Sequence, residues 1–355
     1  MSTKSPIPVT LTPPAVPVAP TSRLAPSPTG ALHLGNARTF LITWALARGR
    51  GWRLVLRIED FDTPRVKPGA ADALTRTLEW LGIDWDPPAA GPRENPLVQS
   101  HDLAPYIEAM HTLASRGLAY PCAMSRAQIE TAASAPQEGA HETPFPSSLR
   151  SELAGQMFDF DQVNQAWTHA NGEPPNWRFC TPPGPVQLID GFAGPRSYDP
   201  SQIVGDFVLW TKRNQPSYQL AVVVDDLRQG ITHVVRGDDL LDSAARQLLL
   251  IRALATAGQT SQREPLYIHL PLVLGTDGRR LAKRHGDTRI DRYREAGVPP
   301  AAVIGLIASW SIPGRPRKPL SAAEFKSAFD LGTMPPDPVT FTPEDDQWLL
   351  SNVPK

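Results

Sequence analysis

The chain has 355 residues, 41% apolar and 20% charged, enough apolar content to bury a sizeable core, so wholesale disorder is excluded. Thirty-five basic and 36 acidic residues leave a net charge of -1. That excludes a protein that is basic all over and confines any nucleic-acid contact to a local patch.

Six of the 39 prolines precede residue 21, which predicts a disordered proline-rich tail over 1–21 and breaks any signal-peptide core. A short strand is expected at Ser22–Pro26, ending in the turn cluster Pro26-Ser27-Pro28-Thr29-Gly30. A helix follows from Gly35 to about Arg50, then a strand over Trp52–Ile58 that ends on Glu59-Asp60. Leu74, Leu78 and Leu81 mark an amphipathic helix closed near Gly82, and Leu103, Tyr106, Ile107, Met110 and Leu113 mark another closed at Gly117. This alternation of strand and helix predicts a parallel α/β sheet. The pattern then degrades into Pro, Ser, Gly and Gln. The expected organisation is a first half-domain over 22–120, an inserted subdomain over 121–200, a second half over 201–290 and a helical C-terminal segment over 291–355. Within the second half, Tyr218–Asp226 reads as a buried strand ending in two carboxylates, about 240–255 as a helix and Leu266–Leu274 as a further strand. The apolar run Pro299–Gly314 has 16 residues and carries prolines, too short to span a bilayer, so no membrane contact is expected.

Two strings carry chemistry. His33-Leu34-Gly35-Asn36 lies between a predicted strand end and a helix start, where unpaired amides and a partial positive charge suit a phosphate and an imidazole can donate to it. Gly278–Gly286 is a glycine-flanked basic loop in which Lys283 can act as a point charge on a polyphosphate. Asp225 and Asp226 read as hydrogen-bonding or helix-capping groups ahead of metal ligands. Two cysteines, Cys122 and Cys180, give no disulfide scaffold and suit a reducing cytoplasmic setting.

From Arg23 to Asn36 the sequence resembles the opening of class I glutamyl-tRNA synthetases with their "HIGH" box. Leu56–Asp62, Tyr218–Asp226 with Val235–Leu240, and Arg280–Arg284 resemble their later blocks, the last as a variant "KMSKS" loop that keeps Lys283. The resemblance implies a Rossmann-type parallel sheet with an inserted subdomain and a short helical C-terminal segment. It assigns ATP to His33, Gly35, Asn36 and Lys283, with His33 and Lys283 catalytic and Mg2+ on the nucleotide. It assigns glutamate to Arg23, Ala25, Ser27, Glu59, Tyr218 and Arg236. Arginines suit the carboxylates, Glu59 the ammonium and Tyr218 a hydrogen bond. Ala25 and Ser27 stand where glutaminyl relatives typically have Pro and Glu, which implies the glutamate type.

About 70 residues follow the loop, too few for the large anticodon-binding domain of full-length members. That implies the short paralogue, which glutamylates queuosine in tRNA(Asp), as a cytoplasmic monomer. Its usual zinc site is expected to be missing: Cys122 is kept, Met124 replaces the second cysteine, and Cys180 falls too late, with His141 and Glu142 as partial substitutes. The insert would then be held by apolar packing and proline-stiffened loops. Arg126 and Arg213 are candidates to hold the RNA backbone. Two alternatives stay open: a truncated synthetase charging a tRNA 3′ end, and a non-catalytic RNA-binding paralogue.

Overall fold

The computed structural model describes residues 19–61, 66–87, 96–124, 128–129, 144–255, 264–281 and 287–354. Strand β1 (Thr21–Leu24) is buried along its whole length and pairs in parallel with β2 (Arg53–Ile58). Between them runs helix α1 (Leu34–Arg50). His33 caps its start, and Gly51 ends it with φ 68°, a left-handed cap any side chain would strain. Arg48 and Arg50 face the negative end of its dipole. Helix α2 (Ala70–Trp80) buries Leu74 and Leu78, the edge strand β3 (Leu97–Val98) pairs in parallel with β2, and helix α3 (Ala104–Ser115) buries Tyr106, Met110 and Leu113. These elements follow the apolar spacing read in the sequence.

The interruption is an antiparallel unit. Strand β4 (Ala119–Cys122) is followed by helix α4 (Phe160–Asn171), β5 (Asn176–Phe179), the hairpin β6 (Val186–Asp190) and β7 (Gly194–Tyr198), and then β8 (Val208–Thr211) and β9 (Gln215–Pro216). β4, β5, β8 and β9 form one sheet in that order, so its strands reach from 119 to 216, past both ends of the expected 121–200 insert.

Tyr218–Asp226 is not a strand. It opens helix α5 (Tyr218–Arg228), capped by the Ser217 hydroxyl, which accepts from the Leu220 amide at 3.5 Å. The helix packs against α3 and the later α6, so Leu220 to Asp226 are all buried and no polar face reveals its period. The β-branched Val222-Val223-Val224 completed the strand-like appearance. Strand β10 (His233–Gly237), helix α6 (Leu241–Leu254) and strand β11 (Leu266–Leu270) follow, with β10 and β11 parallel. The expected strand 266–274 breaks at Pro271, and β12 (Val273–Leu274) is a separate piece. β1 lies beside β10: Thr232 donates its amide to the Thr21 carbonyl at 2.9 Å, and Arg23 reaches the Val235 carbonyl at 3.3 Å. The spatial order is therefore β3-β2-β1-β10-β11. The strands all run in parallel, but the order in which they are added reverses at β1, with β2 and β3 on one side and β10 and β11 on the other, and in such sheets ligands bind outside the carboxyl ends of the strands at that point.

Helices α7 (Ile290–Glu295), α8 (Pro300–Ser311), α9 (Ala322–Ala328) and α10 (Pro343–Ser351) form the C-terminal segment, and β13 (Val339–Thr340) pairs in parallel with β12. The segment is packed onto α1. Buried Arg38 donates to the Pro271 carbonyl at 2.6 Å and to the Ser311 hydroxyl at 3.1 Å. Burial pulls its pKa down to about 10. Gly305 allows α8 to touch the chain at Lys318–Pro319, where a Cβ would collide with the Lys318 carbonyl. Among the described residues no helix is long and apolar enough to cross a membrane.

Candidate active site

The cleft lies where β1, β2 and β10 end and α5 begins. Its floor is a lattice of charge. Arg57, fully buried on β2, donates to Glu59 Oε1 at 3.0 and 3.3 Å, to Asp226 Oδ1 at 2.8 Å and to Gln229 Oε1 at 2.8 Å. Arg23 on β1 stands 3.5 Å from the same Asp226 oxygen. Burial pushes the Glu59 carboxyl above its ordinary range, although Arg57 and Arg23 pull against it. Asp225 faces away from the cleft and accepts from Gln99 at 2.7 Å and from the Tyr106 hydroxyl at 2.9 Å. The two carboxylates at the end of the 218–226 run thus have different tasks, Asp225 tying α5 to α3 and Asp226 joining two arginines.

Arg236, at the end of β10 and 5% exposed, faces this lattice across Tyr218. Its Nε donates to His269 Nε2 at 2.9 Å, its Nη1 to Gln247 Oε1 at 2.8 Å and its Nη2 to the Leu240 carbonyl at 3.1 Å. All three acceptors are neutral, and no described carboxylate stands within ion-pair distance. Tyr218, at the first turn of α5, is 40% exposed as a residue. Burial of its hydroxyl raises the pKa, with Glu59 and Asp226 adding to the rise and Arg236 and Arg23 opposing it. The structure therefore brings Arg23, Glu59, Tyr218 and Arg236 together. Ala25 is half-buried and Ser27 exposed in the turn after β1, which the Glu59 amide fastens by donating to the Pro26 carbonyl at 3.0 Å.

The second half of the cleft is the start of α1. His33 Nδ1 accepts from the Asn36 amide at 3.4 Å, which leaves the proton on Nε2. Burial, helped by Arg280, pushes this imidazole down to about 4. Gly35 lies against the His33 ring, where a Cβ would stand 3.2 Å from Cε1. The flanks of the basic loop are anchored here. Leu281 donates to the Val273 carbonyl at 3.1 Å, Leu34 donates to the Thr288 carbonyl at 3.1 Å, and His33 and Arg289 form a β-bridge. Arg280 pairs with Asp239. Lys283 lies outside the described residues.

The region expected to lack zinc has an apolar cluster of Tyr120, Cys122, Ile129 and Phe145, with Met124 and Cys180 at its margin. A buried carboxylate does the rest of the joining. Asp206, 1% exposed, accepts from the Tyr120 hydroxyl at 2.7 Å, from Arg150 Nε at 2.7 Å and from the Thr181 amide at 2.9 Å. Among the described residues no three His, Cys, Asp or Glu side chains gather as a metal site. His141, Glu142 and Arg126 lie outside those residues, and Arg213 is exposed at the β8–β9 turn, five positions before Tyr218.

Sequence reasoning gave no role to Arg57, Asp190, Gln247 or His269. The available signal was a charged or ionisable residue inside an otherwise apolar strand, which Arg57 and His269 both are.

Residues 20–341 match the family of class I tRNA synthetases (E and Q), catalytic domain. The chain is 42% identical to a glutamyl-Q tRNA(Asp) synthetase of Symbiobacterium thermophilum, over 91% of this chain and 96% of that one. It is 43% identical to a glutamyl-Q tRNA(Asp) synthetase of Rhodopirellula baltica, over 81% and 84%. Among solved structures it is similar to a glutamate tRNA ligase from Elizabethkingia meningosepticum in complex with its amino acid, with a TM-score of 0.73 and 28% identity, over 93% of this chain and 68% of that one.

Proposed function

The chain belongs to the class I tRNA synthetase family for glutamate and glutamine, and from that premise we propose that it activates L-glutamate with ATP and transfers the glutamyl group to queuosine in the anticodon loop of tRNA(Asp). The observation that carries the amino-acid assignment is Arg236, a buried guanidinium held by three neutral acceptors. Its charge is left for a substrate carboxylate, and an uncharged amide in that place would leave the cation unmatched. Arg23 supplies the second cation, Glu59 and Asp226 receive the ammonium, and the Tyr218 hydroxyl donates to the substrate. Ala25 and Ser27 keep the turn after β1 free of bulk. The acceptor assignment rests on the relatives named for it.

In the first step the α-carboxylate of glutamate attacks the α-phosphorus of ATP in line. The bond to the bridging oxygen breaks, and pyrophosphate leaves with its electron pair. A hydroxyl of the queuosine cyclopentene diol then attacks the acyl carbon of the adenylate, forming an ester, and AMP leaves. No protein nucleophile is needed, so the rate comes from positioning and charge. The neutral His33, held by the Asn36 amide at Nδ1, donates from Nε2 to a phosphate oxygen, the Gly35 amide stands at the positive end of α1, and Lys283 meets the phosphates from the loop. Mg2+ would accompany the nucleotide, neutralising charge on its phosphate oxygens.

Pyrophosphate exchange with glutamate and ATP, without tRNA, tests the first step. Transfer of labelled glutamate to tRNA(Asp), with and without queuosine and after removal of the 3′-terminal adenosine, tests the second. Label that stays on the shortened, queuosine-containing RNA supports the reading. Label that requires the terminal adenosine would move the acceptor to the tRNA 3′ end.

A further inference from the structure

Strand β11 is buried from Tyr267 to Leu270, and one imidazole, His269, sits inside it at 1% exposure. Its hydrogen bonds define its proton. An arginine Nε can only donate, so His269 Nε2, 2.9 Å from Arg236 Nε, must be the lone-pair nitrogen. The proton is therefore on Nδ1, which points at Asp190 Oδ2 at 2.6 Å. Asp190 is fixed in turn, because its Oδ1 accepts from the amides of Phe192 at 2.9 Å and Ala193 at 2.7 Å, just past the end of β6. Every donor and acceptor from the hairpin turn to the guanidinium has one possible role. Burial disfavours a charged imidazole here, Arg236 adds to that, and Asp190 opposes it without reversing the direction.

We propose that His269 is a positioning residue for Arg236: with Asp190 fixing its proton, its neutral Nε2 aims the guanidinium at the side-chain carboxylate of the substrate without neutralising it. A carboxylate in the place of His269 would orient Arg236 equally well but would satisfy its charge. An imidazole orients the cation and leaves it unmatched, which is what selects an anionic side chain over its amide. The proposal rests on the reading of Arg236 given above.

Pyrophosphate exchange by the full chain tests it with a matched pair of variants. Glutamine and methionine have similar length and shape, but only glutamine presents an oxygen where Nε2 stood. His269→Met should raise the KM for glutamate about 10- to 100-fold, the range expected for losing a hydrogen bond to a charged group, with the KM for ATP little changed. His269→Gln should recover most of that loss. Equal glutamate KM values for the two variants would overturn the proposal. If the methionine variant does not fold, His269→Phe takes its place, and a normal glutamate KM in that variant overturns the proposal equally. Arg236→Ala separates this inference from the reading beneath it. If Arg236→Ala leaves the glutamate KM unchanged, the site assignment itself falls. If it raises that KM while the Gln and Met variants agree, only the role of His269 falls.

Discussion

Arg57→Met removes the cation that three buried carboxylates share. Arg57 is fully buried, bonds Glu59 and Asp226 at 2.8 to 3.3 Å, and stands 3.9 Å from Asp225. In its absence Arg23, 3.5 Å from Asp226, is the cation left beside Glu59 and Asp226 among the described residues. Removing one partner of a buried ion pair costs about 3–5 kcal/mol, because the charge left behind is neither solvated nor matched. The deficit should depend on pH. Burial already pushes the Glu59 carboxyl above its ordinary range, and losing Arg57 removes the larger of the two opposing pulls. A carboxyl raised in the folded state supports folding below the unfolded value, and that support is lost as pH rises through the folded value. Urea unfolding followed by tryptophan fluorescence should therefore show the variant most destabilised at about pH 8 and closer to wild type at about pH 5. A deficit under about 1 kcal/mol, or one that is the same at both pH values, would refute the reasoning.

Lys283→Ala should lower pyrophosphate exchange about a hundredfold or more, as for loss of one preorganised contact to transition-state charge, with the urea midpoint unchanged. The depressed His33 pKa of about 4 means the unfolded chain binds a proton there first, so stability should fall as pH drops from 6.5 towards 4. His33→Asn should flatten part of that slope in urea titrations. Asp206→Ala strands the buried Tyr120 hydroxyl and Thr181 amide at about 1–3 kcal/mol each, whereas EDTA should leave the melting temperature of the wild type unchanged. A fall in melting temperature on chelation would show that the protein binds a stabilising metal. Gly305→Ala should cost about 1–3 kcal/mol by forcing α8 away from Lys318, measured in the same urea titration.

The sequence showed the first half of the sheet because its signals are local. Gly51, Gly82 and Gly117 stop helices whose apolar spacing is clear, and β2 ends visibly at Glu59-Asp60. The helix at 218–228 was hidden for the opposite reason. A helix buried on every side carries no polar stripe, and the Ser217 cap was the only local clue. The antiparallel unit was hidden by register, since Ala119 pairs with Phe179 across sixty positions of weak pattern. The resemblance named Arg23, Glu59, Tyr218 and Arg236, and the structure gathers them around one cleft. It could not show what holds them. Arg57 meets Asp226 across 169 positions and His269 meets Asp190 across 79, and no short-range pattern encodes such pairings.

The placement of β1 bears on how the protein is made. This strand, the first element described, sits at the middle of the sheet, and on one side Thr21 bonds Thr232, 211 positions later and just ahead of β10. During synthesis its free edge and the Arg23 side chain must wait for β10 to emerge, and the closing of β12 against β13 comes later still. Such long sequence separation slows folding and prolongs exposure of an unpaired edge. A nascent chain of this topology should therefore engage a ribosome-associated chaperone until about residue 240 has left the exit tunnel, and fragments ending before Thr232 should aggregate rather than fold.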